Sequence, residues 1–228
     1  MIGIIGAMKE EVATLKELIQ DSRVEKFMHV EFTRGMLHDK EVVLLESGIG
    51  KVNVAIATTL MLEKFAVDVV INTGSAGGVI TDAEVGDVVI SKSVAYHDVD
   101  VTGFGYDPGQ VPGLPAVFAS DDELVSKVED VLQRVDIRYF TGLIVTGDAF
   151  VNHPEQLVAI KENFSEAIAL EMEAAAVAQV CHIANIPFVV VRALSDIAGK
   201  ESEFSFDEFL PKAAVVSSWM VLELIKAL

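Results

Sequence analysis

Along this chain, short apolar runs without alternation take turns with stretches where apolar residues recur every three to four positions. The runs Ile2–Ile5, Asp68–Asn72 and Phe188–Ala193 read as buried strands. Glu31–Leu37, Glu41–Leu45, Val85–Ser93 and Tyr139–Val145 read as further short strands. Between them, Val12, Leu15, Leu18 and Ile19 repeat at helical spacing, as do Leu124, Val128, Val131 and Val135. A helix after the glycines at 48 and 50 carries Val52, Ala55, Ile56, Thr59 and Leu60 on one face. An alanine-rich helix follows Glu173 and stops at Asn185 and Pro187, and Pro154 suits the first turn of another. The last helix shows Phe206, Phe209, Ala213, Val216 and Met220 on one side, with Pro211 placed to bend it. Ser120 with Glu123, and Ser205 with Glu208, have capping-box spacing. Strands alternating with helices predict a three-layer α/β fold around a largely buried sheet, with residues 1–228 as one domain.

Composition adds a sizeable core: 51% of the residues are hydrophobic and the mean hydropathy is +0.44. No apolar run reaches the roughly 18 residues that a membrane span needs. The opening MIGIIGAM has no basic segment and soon meets Lys9, Glu10 and Glu11, so it reads as a first strand rather than a leader. Cys181 is the single cysteine, which excludes an internal disulfide and suits the cytoplasm. A net charge of −18 argues against nucleic-acid and anionic-membrane partners, both of which need clustered Lys and Arg. It leaves an uncharged nucleoside admissible as a ligand.

Three glycine-rich segments stand at expected strand ends. SGIGKV at 47–52 lacks a phosphate loop's hydroxyl after the lysine and its upstream glycine; Val52 and Leu45 stand there instead. It reads as a tight strand-to-helix turn. TGSAGG at 73–78 reads as a turn in which Ser75, Ala76 and Gly77 let a ligand approach backbone N–H groups. No dinucleotide-binding glycine fingerprint occurs. The segment His97–Ala119 combines Gly103, Gly105, Gly109 and Gly113 with three prolines, Phe104 and Tyr106. Such length is unusual for a plain connection and points to a lid or a subunit contact.

The five histidines show no metal-ligand spacing, so neither a metal nor another cofactor is expected. Cys181 and His182 are neighbours on a helix and point apart, one to the core and one to the surface. No G-x-S-x-G serine elbow is present. Three separated carboxylates remain: Glu11, Glu173 and Asp196. Glu11 falls in a first helical turn beyond a strand, where it complements the helix N-terminus or serves as a base at the crevice. Ser195 and Asp196 follow the strand Phe188–Ala193, where groups face the ligand crevice of an open α/β sheet. Cleaving a glycosidic bond can use one carboxylic acid to protonate the leaving group and one carboxylate to activate water. Phe150, just past another strand, is placed to stack on a base.

Several of these segments match a family in order along nearly the whole chain. GIIGAMKEEV at 3–12, SGIGKVN at 47–53, INTGSAGG at 71–78, YHDVDVTGFGYDPGQVPG at 96–113, GDAF at 147–150, LEMEAAAVAQVC at 170–181 and PFVVVRALSDIA at 187–198 resemble the bacterial 5′-methylthioadenosine/S-adenosylhomocysteine nucleosidases. The resemblance implies a mixed central sheet wrapped by helices in the nucleoside phosphorylase-like fold, a homodimer, no metal, and a place in methionine salvage. It also implies hydrolysis of the N-glycosidic bond, releasing adenine and a thioribose. By motif, Asp196 protonates adenine N7 and Glu11 activates water, with Ser75 and Arg192 helping to hold that water and Glu11. Glu173 grips the ribose hydroxyls and Met172 packs on the sugar. Phe150 stacks on adenine, the Val151 backbone reads the base edge, and Met8, Ile49 and Phe206 line the ribose and alkylthio end. Val101, Phe104 and Pro112 reach into the partner subunit's site. Departures from the family pattern are Gly103, Thr146 and the pair His153–Pro154. The rival readings are a phosphate-dependent phosphorylase of the same fold and a catalytically silent nucleoside sensor.

Overall fold

The computed structural model describes residues 1–135, 137–198 and 202–228, with the backbone alone at 202–205 and 207. Its frame is a ten-stranded mixed sheet. Strand β1 (Ile2–Gly6) lies between β4 (Lys40–Glu46) and β5 (Val69–Gly78), parallel to both. Every residue of β1 is buried, as expected of an IGIIG run covered on both faces. Beyond β4 come β3 (Val30–Leu37) and β2 (Gln20–Phe27), each antiparallel to its neighbour.

On the other side of β5 the sheet turns back on itself. Strand β10 (Phe188–Ile197) runs parallel to β5 and also pairs antiparallel with β6 (Val88–Tyr96). β6 pairs with β8 (Tyr139–Thr146), and β8 with β9 (Ala167–Glu171), both in parallel. β9 then returns antiparallel to β5 at Gly77 and Gly78. Five strands therefore form a closed ring, and the short β7 (Phe118–Ala119) pairs with β6 outside it.

Helices cover both sides, in agreement with the expected layered fold. α1 (Lys9–Leu18), α3 (Asp122–Val135) and α6 (Ser202–Ala227) share one core, where Leu15, Val128 and Leu224 meet Ile4, Ile71 and Val189. α2 (Lys51–Lys64) and α5 (Ala174–Ala184) share the other, where Met61, Ala57 and Ala178 meet Ile5, Val70 and Val190. Successive residues of β5 and β10 thus feed opposite cores, as a strand's period of two requires. α4 (Pro154–Asn163) closes a smaller cluster through Ile160.

Several elements differ from the sequence reading. The TGSAGG segment is not a turn but the last part of β5, and Ser195 and Asp196 lie inside β10 rather than beyond it. Both strands extend because they pair with each other to their ends. β6 starts three residues later than Val85 and runs on to Tyr96. β2 and β9 had no expectation: β2 is exposed along nearly its whole length, and β9 is only five residues long. The face of α2 that meets the core is Val54, Ala57, Thr58 and Met61, whereas Val52, on the expected face, is 70% exposed. That helix is apolar all round, so periodicity does not select a side. Asp121, not Ser120, caps α3, accepting the Leu124 N–H at 3.0 Å, while Ser120 bonds Ser91. α6 is already helical at Ser202, so the backbone of Ser205 lies inside it and cannot cap; the Ser205 side chain lies outside the described residues. The helix continues through Pro211.

Candidate active site

The crevice lies where β1, β5, β9 and β10 end, and its residues are delivered by those ends and by the loops beyond. Glu11 is fully buried at the start of α1. Its Oε2 accepts the N–H groups of Ala7 at 2.9 Å and Met8 at 3.1 Å. Its Oε1 accepts the Ser75 N–H at 2.8 Å and the Ser75 hydroxyl at 3.0 Å. Glu11 therefore complements the helix N-terminus and faces the cavity at the same time. Three of its four donors are fixed backbone groups, and only the Ser75 hydroxyl is free to rotate. Gly74, at φ +147°, makes this possible, since a Cβ there would come within 2.5 Å of the Glu11 carboxylate.

Asp196 reaches the crevice through a bulge. The β10–β5 register slips between Leu194 and Asp196, so Asp196 stands beside Gly77. Its Oδ1 accepts the Ser195 hydroxyl at 2.8 Å, and an added Cβ on Gly77 would sit 3.1 Å from Oδ2.

Arg192 anchors the third acidic group. Its guanidinium donates to the Ser75 carbonyl at 2.9 Å and to Asn72 Oδ1 at 2.8 Å. It pairs with Glu171 at 2.7 Å and Glu173 at 3.3 Å. Burial works against its charge, but Glu171, Glu173 and Glu11 outweigh that and hold it protonated. Arg192 meets Glu11 through Ser75, whose carbonyl it holds and whose N–H and hydroxyl bind Glu11. Its other bonds go to Asn72, Glu171 and Glu173, because β9 and α5 bring both glutamates over β10. Glu171 also accepts the Glu173 and Ala174 N–H groups and the Thr146 hydroxyl, which in turn accepts the Ala175 N–H. Thr146 supplies the hydroxyl that a serine would. Glu173 Oε1 accepts the Gly50 N–H at 2.8 Å. Burial, reinforced by Glu171 and only partly offset by Arg192, pushes the Glu173 carboxyl up to about 7.

These groups surround a cavity of about 440 Å³. Glu11, Ser75, Ala76 and Gly77 line it from one side, and Glu173, Arg192, Ser195 and Asp196 from the other. Met8, Ile49, Phe150, Met172 and Phe206 supply its apolar walls, with the Phe150 and Phe206 rings edge to face at 5.7 Å. Val151 lies instead on an adjoining recess, which it shares with Asp196 and Gly77. Val101, Phe104 and Pro112 do not line the cavity of their own chain, and Phe104 is 86% exposed. Ala7, Leu170 and Glu171 line it without having been assigned from sequence, and Asn72 supports Arg192 beneath it. An asparagine inside an apolar strand, and a glutamate two residues from Glu173, were the available signals. Cys181 is buried and His182 exposed, as expected. Among the described residues, no group of three or more His, Cys, Asp or Glu is placed to hold a metal ion.

A constellation of buried acids around an apolar cavity suits sugar-bond cleavage, and the relatives agree. Residues 1–226 match the phosphorylase superfamily. The 5′-methylthioadenosine/S-adenosylhomocysteine nucleosidase of Bacillus subtilis strain 168 is 54% identical over 226 residues, covering 99% of this chain and 98% of its own. The enzyme of that name from Neisseria meningitidis, solved with methylthio-immucillin-A, is 47% identical with a TM-score of 0.98, covering 100% of this chain and 99% of its own. That from Colwellia psychrerythraea 34H, solved with adenine, is 47% identical with a TM-score of 0.96, covering 98% of this chain and 93% of its own. The chain belongs to the phosphorylase superfamily and, within it, to the 5′-methylthioadenosine/S-adenosylhomocysteine nucleosidase family.

Proposed function

We infer that this protein hydrolyses the N-glycosidic bond of 5′-methylthioadenosine and S-adenosylhomocysteine, releasing adenine and the thioribose. One observation carries the reading: Glu11, Glu173 and Asp196 converge on a single apolar-walled cavity whose one guanidinium is already engaged by carboxylates. In the assigned chemistry Asp196 donates a proton to adenine N7 while the N9–C1′ bond breaks. A water held by Glu11 and the Ser75 hydroxyl attacks C1′ and gives its proton to Glu11. Glu173 accepts hydrogen bonds from the ribose hydroxyls, and its negative neighbourhood favours the cationic sugar of the transition state. Phe150 stacks on adenine, and the Val151 backbone reads its edge from the recess beside Asp196. Met8, Ile49, Met172 and Phe206 enclose the sugar and the thioether, an apolar group that wants an apolar wall. Arg192 positions Glu173 through the shared ion-pair network.

Phosphorolysis is the rival, and charge weighs against it. A phosphate entering beside Glu11 would meet buried carboxylates and find the single guanidinium occupied. Silent binding of a nucleoside would not call for both an acid and a water-holding base. The reading extends to a cytoplasmic homodimer in which Val101, Phe104 and Pro112 cross to the partner's cavity. Ile49 and Val52, exposed side by side around the start of α2, and the exposed Phe104 support a covered surface there. Among the described residues no helix is long and apolar enough to cross a membrane.

The test is adenine release from methylthioadenosine in phosphate-free buffer, with products separated by chromatography. Free adenine and unphosphorylated methylthioribose are expected. Release only after phosphate is added, with a sugar 1-phosphate as product, would overturn hydrolysis. Tight binding without release would make the protein a sensor.

A further inference from the structure

The rim of the crevice carries a second charged cluster, apart from the buried acids. Lys51 opens α2, where the positive end of the helix dipole disfavours a cation, and no acidic residue stands in that first turn. Its ammonium lies 2.7 Å from both carboxylate oxygens of Asp98 and 3.7 Å from Asp148. It also sits over the Tyr96 ring, 5.4 Å from its centre. The backbone closes the circuit: the Lys51 N–H donates to Asp148 Oδ1 at 2.9 Å, and the Asp148 N–H donates to Asp98 Oδ2 at 2.9 Å. Burial would raise the Asp98 carboxyl, but Lys51 and the Asp148 N–H outweigh it and hold it below the ordinary range.

Lys51 stands where a glycine turn enters α2, and Asp98 and Asp148 stand on two separate loops; each of these segments delivers something to the crevice. Beside Lys51, the Gly50 N–H holds Glu173 and Ile49 forms a wall. Just after Asp148 comes Phe150. Asp98 roots the segment that leads to Val101 and Phe104. The fit is close: Gly50 has φ +95°, and a Cβ there would come within 3.1 Å of Asp148 Oδ1. A cation in a place that its own helix disfavours, paired at short range to two loops, is a local cost matched by a tertiary gain.

We propose that Lys51, with Asp98 and Asp148, is a positioning clasp that holds the Phe150 loop and the Ile49–Gly50 turn in register, and so sets affinity for the adenine nucleoside. The inference rests on the nucleosidase reading. The clasp touches no reacting atom, so it acts on binding and leaves the bond-breaking step to Asp196 and Glu11.

The test compares the wild type with Lys51→Ala, Lys51→Met, which keeps most of the stem without the charge, Lys51→Arg, Asp148→Ala and the Lys51→Ala/Asp148→Ala double variant. Methylthioadenosine kinetics and adenine titration are both read. Lys51→Ala and Lys51→Met should raise KM and the adenine Kd roughly tenfold, the weight of about one charge-assisted hydrogen bond. kcat should stay within about threefold, and Lys51→Arg should recover most of the affinity. The double variant should lose less than the sum of the two single losses, since Asp148 also holds the Lys51 N–H that Lys51→Ala keeps. Unchanged KM and Kd in a folded Lys51→Met protein would overturn the clasp, as would a fall in kcat at constant KM, or additive losses in the double variant. An inactive wild type would count against the nucleosidase reading instead, and the adenine titrations would still decide the clasp.

Discussion

Two polar regions of this protein sit on the same sheet and behave oppositely. At the crevice, Glu11, Glu171, Glu173, Asp196 and Arg192 are all buried, and donors or counter-charges hold them. At the far edge, the β2–β3 hairpin carries Arg23, Glu25, Lys26, Glu31 and Arg34 in the open, with Met28 and Val24 exposed beside them. The same residue types hold the site together in one place and are nearly interchangeable in the other. Charge matters where water is absent, because an unpaired buried ion costs several kcal/mol and an exposed pair contributes only tenths.

The largest expected effects lie on the crevice acids. On the proposed mechanism Asp196→Asn removes the transferable proton and Glu11→Gln removes the base, so each should lower kcat by about two to four orders of magnitude. Adenine release under single-turnover conditions measures it directly. Near-wild-type rates in either variant would mean that the crevice acids are structural, like those of the hairpin. Next comes Arg192→Met, which strips the counter-charge from Glu171 and leaves Glu173 facing it. Loss of one partner from such a network should cost about 3–5 kcal/mol in urea-melt stability.

Arg192 also marks how far the sequence could be read. The alternation of strands and helices, the Glu11 helix start and most of the cavity lining were legible, because each depends on local periodicity or on a motif. Arg192 was expected to help hold Glu11 and its water; it does meet Ser75, which binds Glu11, but its links to Asn72, Glu171 and Glu173 were not foreseen. Such pairings are set by which strands lie side by side, and local pattern does not encode that. Asp196 was read as lying beyond a strand, whereas it reaches the crevice through a bulge inside one, and a bulge leaves no periodic trace. The α2 face fails for a different reason: a helix apolar on every side offers no contrast to read. β2 was invisible because solvent meets nearly every residue along it, so its pairing with β3 comes from backbone bonding rather than burial.

A pH series sharpens the comparison. Burial raises the Glu173 carboxyl from its ordinary 4.5 to about 7 in the folded protein. Between those values the folded state binds more protons than the unfolded one, so stability falls as pH rises through the window. Glu173→Gln removes this dependence while still able to accept the Gly50 N–H. Relative to wild type, the variant's melting temperature should therefore climb between pH 5 and pH 8, although its activity is impaired. A constant gap across that range would mean that Glu173 is charged throughout.

The smallest effect is expected at the hairpin, and its smallness is the point. Arg34 pairs with Glu41 at 3.1 Å, with both side chains about half exposed. The strand register also sets Arg34 directly opposite Arg23. Arg34→Ala removes an exposed attraction and a cross-strand repulsion together, each worth a few tenths of a kcal/mol to about 1 kcal/mol, with opposite signs. Urea melts should place the variant within about 0.5 kcal/mol of wild type, and salt should narrow the difference because both terms are screened. Adenine release should be unchanged, since the hairpin forms the outer edge of the sheet, with β4 between it and β1, and its exposed charges do not line the crevice. A loss above about 1 kcal/mol, or a change in kcat, would show that the exposed edge is tied to the crevice, and the two regions would no longer be separable by burial alone.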